Sequence, residues 1–200
     1  MSSELNITIG FSTQNDICSR AIRWCTRSPC SHSFIAFDDT VLRMRLVMQA
    51  KAWGFELRPQ RRWLLSNVVV AEFKPIGNSL DEALISIAQS LGLKFDYMSG
   101  TLLLLRSLLG RWSQSGFSLR VKNSPGKLIC SEAVIRFLKI ADYRTVRDLD
   151  PELTGPGDLL REVMRNPHEF RLKDGNRVYL SYDRELGAVL DAVAEKRAIL

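Results

Sequence analysis

Hydrophobic alternation marks the first third of the chain and helical periodicity the rest. Leu5, Ile7, Ile9 and Phe11 alternate with Asn6, Thr8 and Gly10, which predicts a half-buried first strand. Asn15 and Asp16 are good helix caps, and Ile17, Ala21, Trp24 and Cys25 recur at helical spacing over residues 17 to 26. Their stripe is expected to face the core. Ser28-Pro29 stops this helix. His32 to Phe37 reads as a second strand, Asp38-Asp39 as a turn, and Val41 to Gln49 as a third strand. Gly54 to Arg58 predicts a fourth strand. The β-branched run Val68-Val69-Val70-Ala71 predicts a central one, reaching Phe73.

Beyond that point the period changes. Ser79 and Glu82 form a capping-box pattern ahead of a helix to about Leu91, and a second helix is expected from Ser99 to about Leu109. Gln114 to Pro125 is Ser-rich and reads as loop. Cys130, Val134, Leu138 and Ala141 share one helical stripe. Thr154-Gly155-Pro156-Gly157 punctuates the chain before a helix from Asp158 to Arg165. A late strand is expected at Val178 to Tyr182 and a closing helix from Arg184 to Ile199. Strands first and helices later predict an α+β domain, an antiparallel sheet flanked by helices, rather than a doubly wound sheet.

Composition narrows the chemistry. The chain has 200 residues, with 46% hydrophobic and 25% charged, as in an ordinary globular protein. That length fits one domain. Apolar runs stop at four residues, as at Leu102 to Leu105, whereas a spanning helix needs roughly 20. The N-terminal residues lack a basic patch followed by an apolar core, so a cytoplasmic location is expected, with a delivered effector or a phage-encoded protein as alternatives. The charge is +6, from 28 Lys+Arg against 22 Asp+Glu. It is uneven: no acid falls between Asp96 and Glu132, where Arg106, Arg111, Arg120, Lys122 and Lys127 lie. That stretch could steer an anionic substrate or meet an anionic membrane surface, or be an ordinary solvated face. No specific nucleic-acid partner is expected.

Only two histidines and four cysteines are present. Cys130 opens a helix, where the macrodipole and nearby Lys127 favour the thiolate and free N–H groups could hold an oxyanion. It also sits on the apolar stripe, so a small buried hydrophobe is the competing reading. His32 begins a strand, a place from which an imidazole can reach a helix N-terminus. His168, in Asn166-Pro167-His168-Glu169, reads as a turn residue. Cys18, Cys25, Cys30 and His32 are separated by six, four and one residues, which is poor zinc spacing, so no metal and no cofactor are expected.

In this order the motifs resemble the circularly permuted papain-like hydrolases of the NlpC type, relatives of lecithin retinol acyltransferase. The likeness rests on Ile17 to Trp24, Ser31-His32-Ser33-Phe34-Ile35, Cys130-Ser131-Glu132-Ala133-Val134, and Thr154-Gly155-Pro156-Gly157-Asp158-Leu159. It covers roughly residues 5 to 162, within one permuted papain-like domain over 1–200 with 163–200 as a C-terminal extension. The resemblance implies Cys130 as nucleophile, His32 as base, and a third polar residue on the next strand, here Gln49. A two-residue hairpin loop at Asp39-Thr40 puts Gln49 diagonal to His32 on the same face. Tyr97 is expected to bind substrate or to pack at a helix start. The function implied is a cysteine hydrolase or acyltransferase for an amide, ester or thioester, on a peptide stem or a lipid-linked acyl group. The alternative is a non-catalytic binding protein of the same fold using its basic surface for membrane or nucleic acid.

Overall fold

A six-stranded antiparallel sheet forms around β1 (Thr8–Thr13), which pairs with β2 (His32–Asp39) on one side and β5 (Val68–Pro75) on the other. The computed structural model describes residues 5–51, 53–77, 79–95 and 127–180. After β1 comes α1 (Ile17–Thr26), then β2, β3 (Met44–Lys51), β4 (Gly54–Pro59) and α2 (Gln60–Trp63). Beyond β5 lie α3 (Asp81–Ala88), β6 (Lys94–Phe95), β7 (Lys127–Leu128) and α4 (Cys130–Ile140). The described chain closes with a 3-10 turn (Arg144–Val146), α5 (Pro156–Arg165), β8 (Phe170–Gly175) and α6 (Arg177–Leu180). The strand order is β4-β3-β2-β1-β5-β8, with β6 and β7 forming a separate parallel pair.

Two apolar layers cover the sheet. Ile9, Phe11, Ile35, Phe37 and Met48 face α4 and join Val134, Phe137 and Leu138 in the main core. The opposite face carries a smaller cluster of Phe34, Ala36, Val47 and Trp63. Covered on both faces, β1 is buried along its whole length rather than half-buried as its alternation predicts. Its polar positions Thr8, Ser12 and Thr13 are buried too. Gly10 is required here: a Cβ would lie 2.1 Å from the Phe34 ring, which leans over β1 to meet Trp63 at 4.6 Å between centroids.

Four expectations need correction. The β2–β3 loop holds four residues, Thr40 to Arg43, because Asp39 pairs with Met44. Arg43 takes the left-handed conformation there, with φ 50°. The helix after Ser79 starts at Asp81 with no side-chain cap, so the Ser79–Glu82 box does not form. Val178 lies in the short helix α6, and the late strand is Phe170–Gly175 instead. The α1 stripe is inverted: Ile17, Ala21 and Trp24 face outward, while Ser19 is buried and Arg23 half-buried. Asp16 caps α1 as its sequence suggests, accepting from the Ser19 N–H at 2.7 Å.

Among the described residues, no helix is long and apolar enough to cross a membrane. Tyr97, the basic residues Arg106 to Lys122, the helices expected at Ser99 to Leu109 and Arg184 to Ile199, and the loop from Gln114 to Pro125 all lie outside the described residues.

Candidate active site

The start of α4 is fixed by a side chain three residues into the helix. The Glu132 carboxylate accepts from the Ile129 N–H at 3.2 Å and pairs with Arg136, so Cys130 is held at the first helical position. Ser131 beside it is fully buried, and its hydroxyl has no hydrogen-bond partner. The helix packs on β2, and the Cys130 sulfur comes within reach of the Ser33 N–H. The Ser33 hydroxyl also faces the sulfur as a nearby dipole, although it makes no hydrogen bond of good geometry.

Burial decides the state of this thiol. Cys130 is half-buried as a residue, and the loss of water around its sulfur pushes the thiol above its ordinary range, against the opposing N–H groups of Ser33, Ser131 and Cys130 itself. The helix N-terminus therefore does not make a resting thiolate, as position alone suggests; desolvation outweighs the dipole. Cys30 is also raised, to about 12, mainly by burial, with Ser28 Oγ 3.3 Å from its sulfur. Cys18 is exposed and Cys25 half-buried, so the early cysteines are not a common packing cluster.

His32 lies on the other side of β2, opposite Ser12 of β1. The four-residue β2–β3 loop is two residues longer than the hairpin loop expected. An even change preserves the face, so Gln49 still shares the side of His32. The contact is direct, with His32 Nε2 and Gln49 Oε1 2.9 Å apart. Gln49 cannot be flipped. Its Nε2 donates to Glu56 Oε1 at 2.7 Å, and its Oε1 also accepts from Trp63 Nε1 at 2.8 Å. With Oε1 fixed as the acceptor, His32 must carry its proton on Nε2, which leaves Nδ1 as the basic nitrogen. A carboxylate at position 49 would face Glu56 directly, which explains an amide there.

Burial pushes His32 from 6.5 down to about 4, helped by the Lys51 cation and opposed by the Gln49 hydrogen bond. Lys51 is half-buried at the end of β3 and is itself lowered, chiefly by burial. Its charge acts on both His32 and Cys130, so the three side chains share one neighbourhood. No hydrogen bond joins His32 to Cys130 among the described residues; the structure places them near the same strand start without pairing them.

The Thr154 to Leu159 segment packs against the loop leading to His32. A Cβ on Gly157 would lie 2.3 Å from Ser28 Oγ, so the start of α5 can approach the loop leading to His32 only without a side chain there. Arg161 adds a hydrogen bond to the Arg27 carbonyl at 3.2 Å. In comparisons with known proteins, no family model matches the chain and no curated protein matches it in sequence.

Sequence reasoning pointed to Cys130, His32 and Gln49 but missed Trp63, Glu56, Lys51 and Ser33. Trp63 and Glu56 become visible only once β3 and β4 are paired, with Gln49 opposite Glu56. Ser33 and Lys51 left one available signal. Ser33 adjoins His32 in sequence, and Lys51 lies two residues, one strand period, beyond Gln49.

Proposed function

We propose that the protein is a cysteine hydrolase or acyltransferase of the permuted papain-like type, acting on an amide, ester or thioester of a peptide or a lipid-linked acyl group. Cys130 is the nucleophile, His32 the general base and Gln49 the positioning residue. The observation that carries this reading is the His32–Gln49–Trp63–Glu56 network, which fixes the imidazole tautomer at the start of the strand on which the Cys130 helix packs. The permuted papain-like assignment is supported by a histidine on an early strand and a thiol on a late helix packed against that strand.

Both groups rest neutral. His32 Nδ1 therefore takes the thiol proton as Cys130 Sγ attacks the carbonyl carbon, a pairing completed when substrate is bound. The carbonyl oxygen gains the electron pair and meets the free N–H groups of the first turn of α4. Collapse breaks the bond to the leaving group, which takes the proton from His32. Water or a second nucleophile then attacks the thioester, gives its proton to His32, and releases the acyl product with the thiol restored.

A second reading, a binding protein of the same fold, is favoured by the missing His32–Cys130 hydrogen bond. One experiment separates the two. The protein is treated with p-nitrophenyl acetate and its peptides are mapped by mass. Under the catalytic reading the acetyl group appears first on Cys130 rather than on exposed Cys18. Acylation then slows at least about a hundredfold in His32→Ala. Acetylation favouring Cys18, or an unchanged rate in His32→Ala, overturns the catalytic reading.

A further inference from the structure

Helix α1 turns its apolar stripe away from the protein. Ile17 is 84% exposed and Trp24 65% exposed, while the inward side carries Ser19 and Arg23. A surface helix normally does the reverse. The outward stripe is bordered by exposed Arg20 and Arg27, and no acid lies within the helix. A shallow cavity of about 800 Å³ runs beside it, lined by Ile17, Arg20, Trp24 and Pro29 among others.

The position of this surface follows from the sheet register. Ser12 pairs with His32 and Thr13 with Val68, so β1 ends where β2 and β5 begin. Gln14, just past β1, donates to Asn67 Oδ1 at 3.0 Å, joining the start of the α1 connection to the α2–β5 loop. That loop exposes Leu65 at 87%, next to Leu64, and follows Arg61 and Arg62 of α2. Apolar and cationic side chains from two elements thus gather at the end of the sheet that carries His32.

We propose that this end of the molecule, led by α1, docks on a lipid bilayer bearing anionic headgroups. Ile17, Trp24 and Leu65 enter the interfacial zone, and Arg20 and Arg27 meet the phosphates. The chemistry favours a bilayer over a protein groove. The apolar side chains come from two elements, tryptophan suits the headgroup level, and the exposed arginines Arg20, Arg27, Arg61 and Arg62 outnumber the one nearby exposed acid, Asp16. The inference needs no catalysis by Cys130.

The test uses the full chain and co-sedimentation with vesicles of phosphatidylcholine mixed with phosphatidylglycerol, against phosphatidylcholine alone. Binding is expected only to the anionic vesicles, and it weakens with salt. An Ile17→Ser/Trp24→Ser double variant, and separately an Arg20→Glu/Arg27→Glu double variant, should each bind at least about tenfold more weakly. Cys130→Ala should bind as the unaltered protein does, which separates this inference from the catalytic reading. Should a variant melt at a lower temperature, the unaltered protein gives a second measurement. Exposed Cys18, next to Ile17, should react more slowly with a water-soluble maleimide when anionic vesicles are present. Failure to bind anionic vesicles, capture of an acidic protein alone, full binding by both α1 variants, or an unchanged Cys18 rate overturns the proposal.

Discussion

Acidification should destabilise the protein through His32, in a window set by a single imidazole. The native ring takes a proton only at about pH 4, whereas an unfolded histidine does so at 6.5. Between these values the unfolded chain binds more protons, so stability is complete above 6.5 and falls as pH drops toward 4. The gap is 6.5 − 4, about 2.5 units, and at about 1.4 kcal/mol per unit it amounts to at most about 3.5 kcal/mol. Partial exposure of the ring reduces that figure. Glu132 acts in the opposite sense: burial raises it, so its contribution is present at low pH and lost as pH rises through its native value. Asp38, Glu72 and Glu169 are lowered, so their contributions are lost only as pH falls further, through the carboxylate range. A comparison with His32→Gln removes these shared effects. Urea unfolding at pH 7 and pH 4.5 should show the stability difference between the two proteins shrinking by about 2 kcal/mol on acidification. Proton NMR should place the native His32 midpoint below 5. A midpoint at or above 6, or an unchanged difference between the proteins, would refute the account of the buried neutral imidazole.

Other consequences are equally direct. Gly10→Ala should destabilise the fold by about 3 kcal/mol or more in urea, since its Cβ would meet the Phe34 ring at 2.1 Å between two paired strands. Trp63→Phe keeps a ring against Phe34 but removes one donor to Gln49, for a loss of about 1 kcal/mol in the same assay. Arg45→Met should cost about 3 kcal/mol, because it leaves the buried Glu72 carboxylate with Thr8 and Lys173 as its remaining polar partners. Conversion of Gln49 to Glu should raise the His32 midpoint by NMR and lower the melting temperature, since the new carboxylate faces both the imidazole and Glu56.

How much of this was legible in the sequence depended on whether the forces were local. The strands β1 to β5 follow from alternation and β-branched runs, and Asp16 and Pro29 act through adjacent backbone. Gln49 was placed on the correct face although the loop length was wrong, because only the parity of the loop mattered. The α1 stripe misled because helical period says that one face is apolar, not which way it points. The neutral state of Cys130 was likewise hidden. Position at a helix start is a local fact, whereas the desolvation that overrides it depends on tertiary packing, as of this helix on β2, about a hundred residues earlier.

The missed strand β8 has a bearing on how copies of this protein meet. Its sequence, Phe170-Arg171-Leu172-Lys173-Asp174-Gly175, buries only Phe170 and carries three charges in six residues, which is why it does not read as a strand. Among the described residues it lies at the end of the sheet, paired on one side with β5. Lys173 reaches inward to Glu72 at 3.1 Å, and Arg171 is exposed. An open strand edge is a template on which another chain can add, and charge is a common way of discouraging that addition. Neutralising Arg171 and Asp174 should therefore leave the fold intact while favouring self-association, which light scattering would show as a rise in mass; on that expectation the residues that disguise β8 in the sequence would also discourage one copy from adding to another.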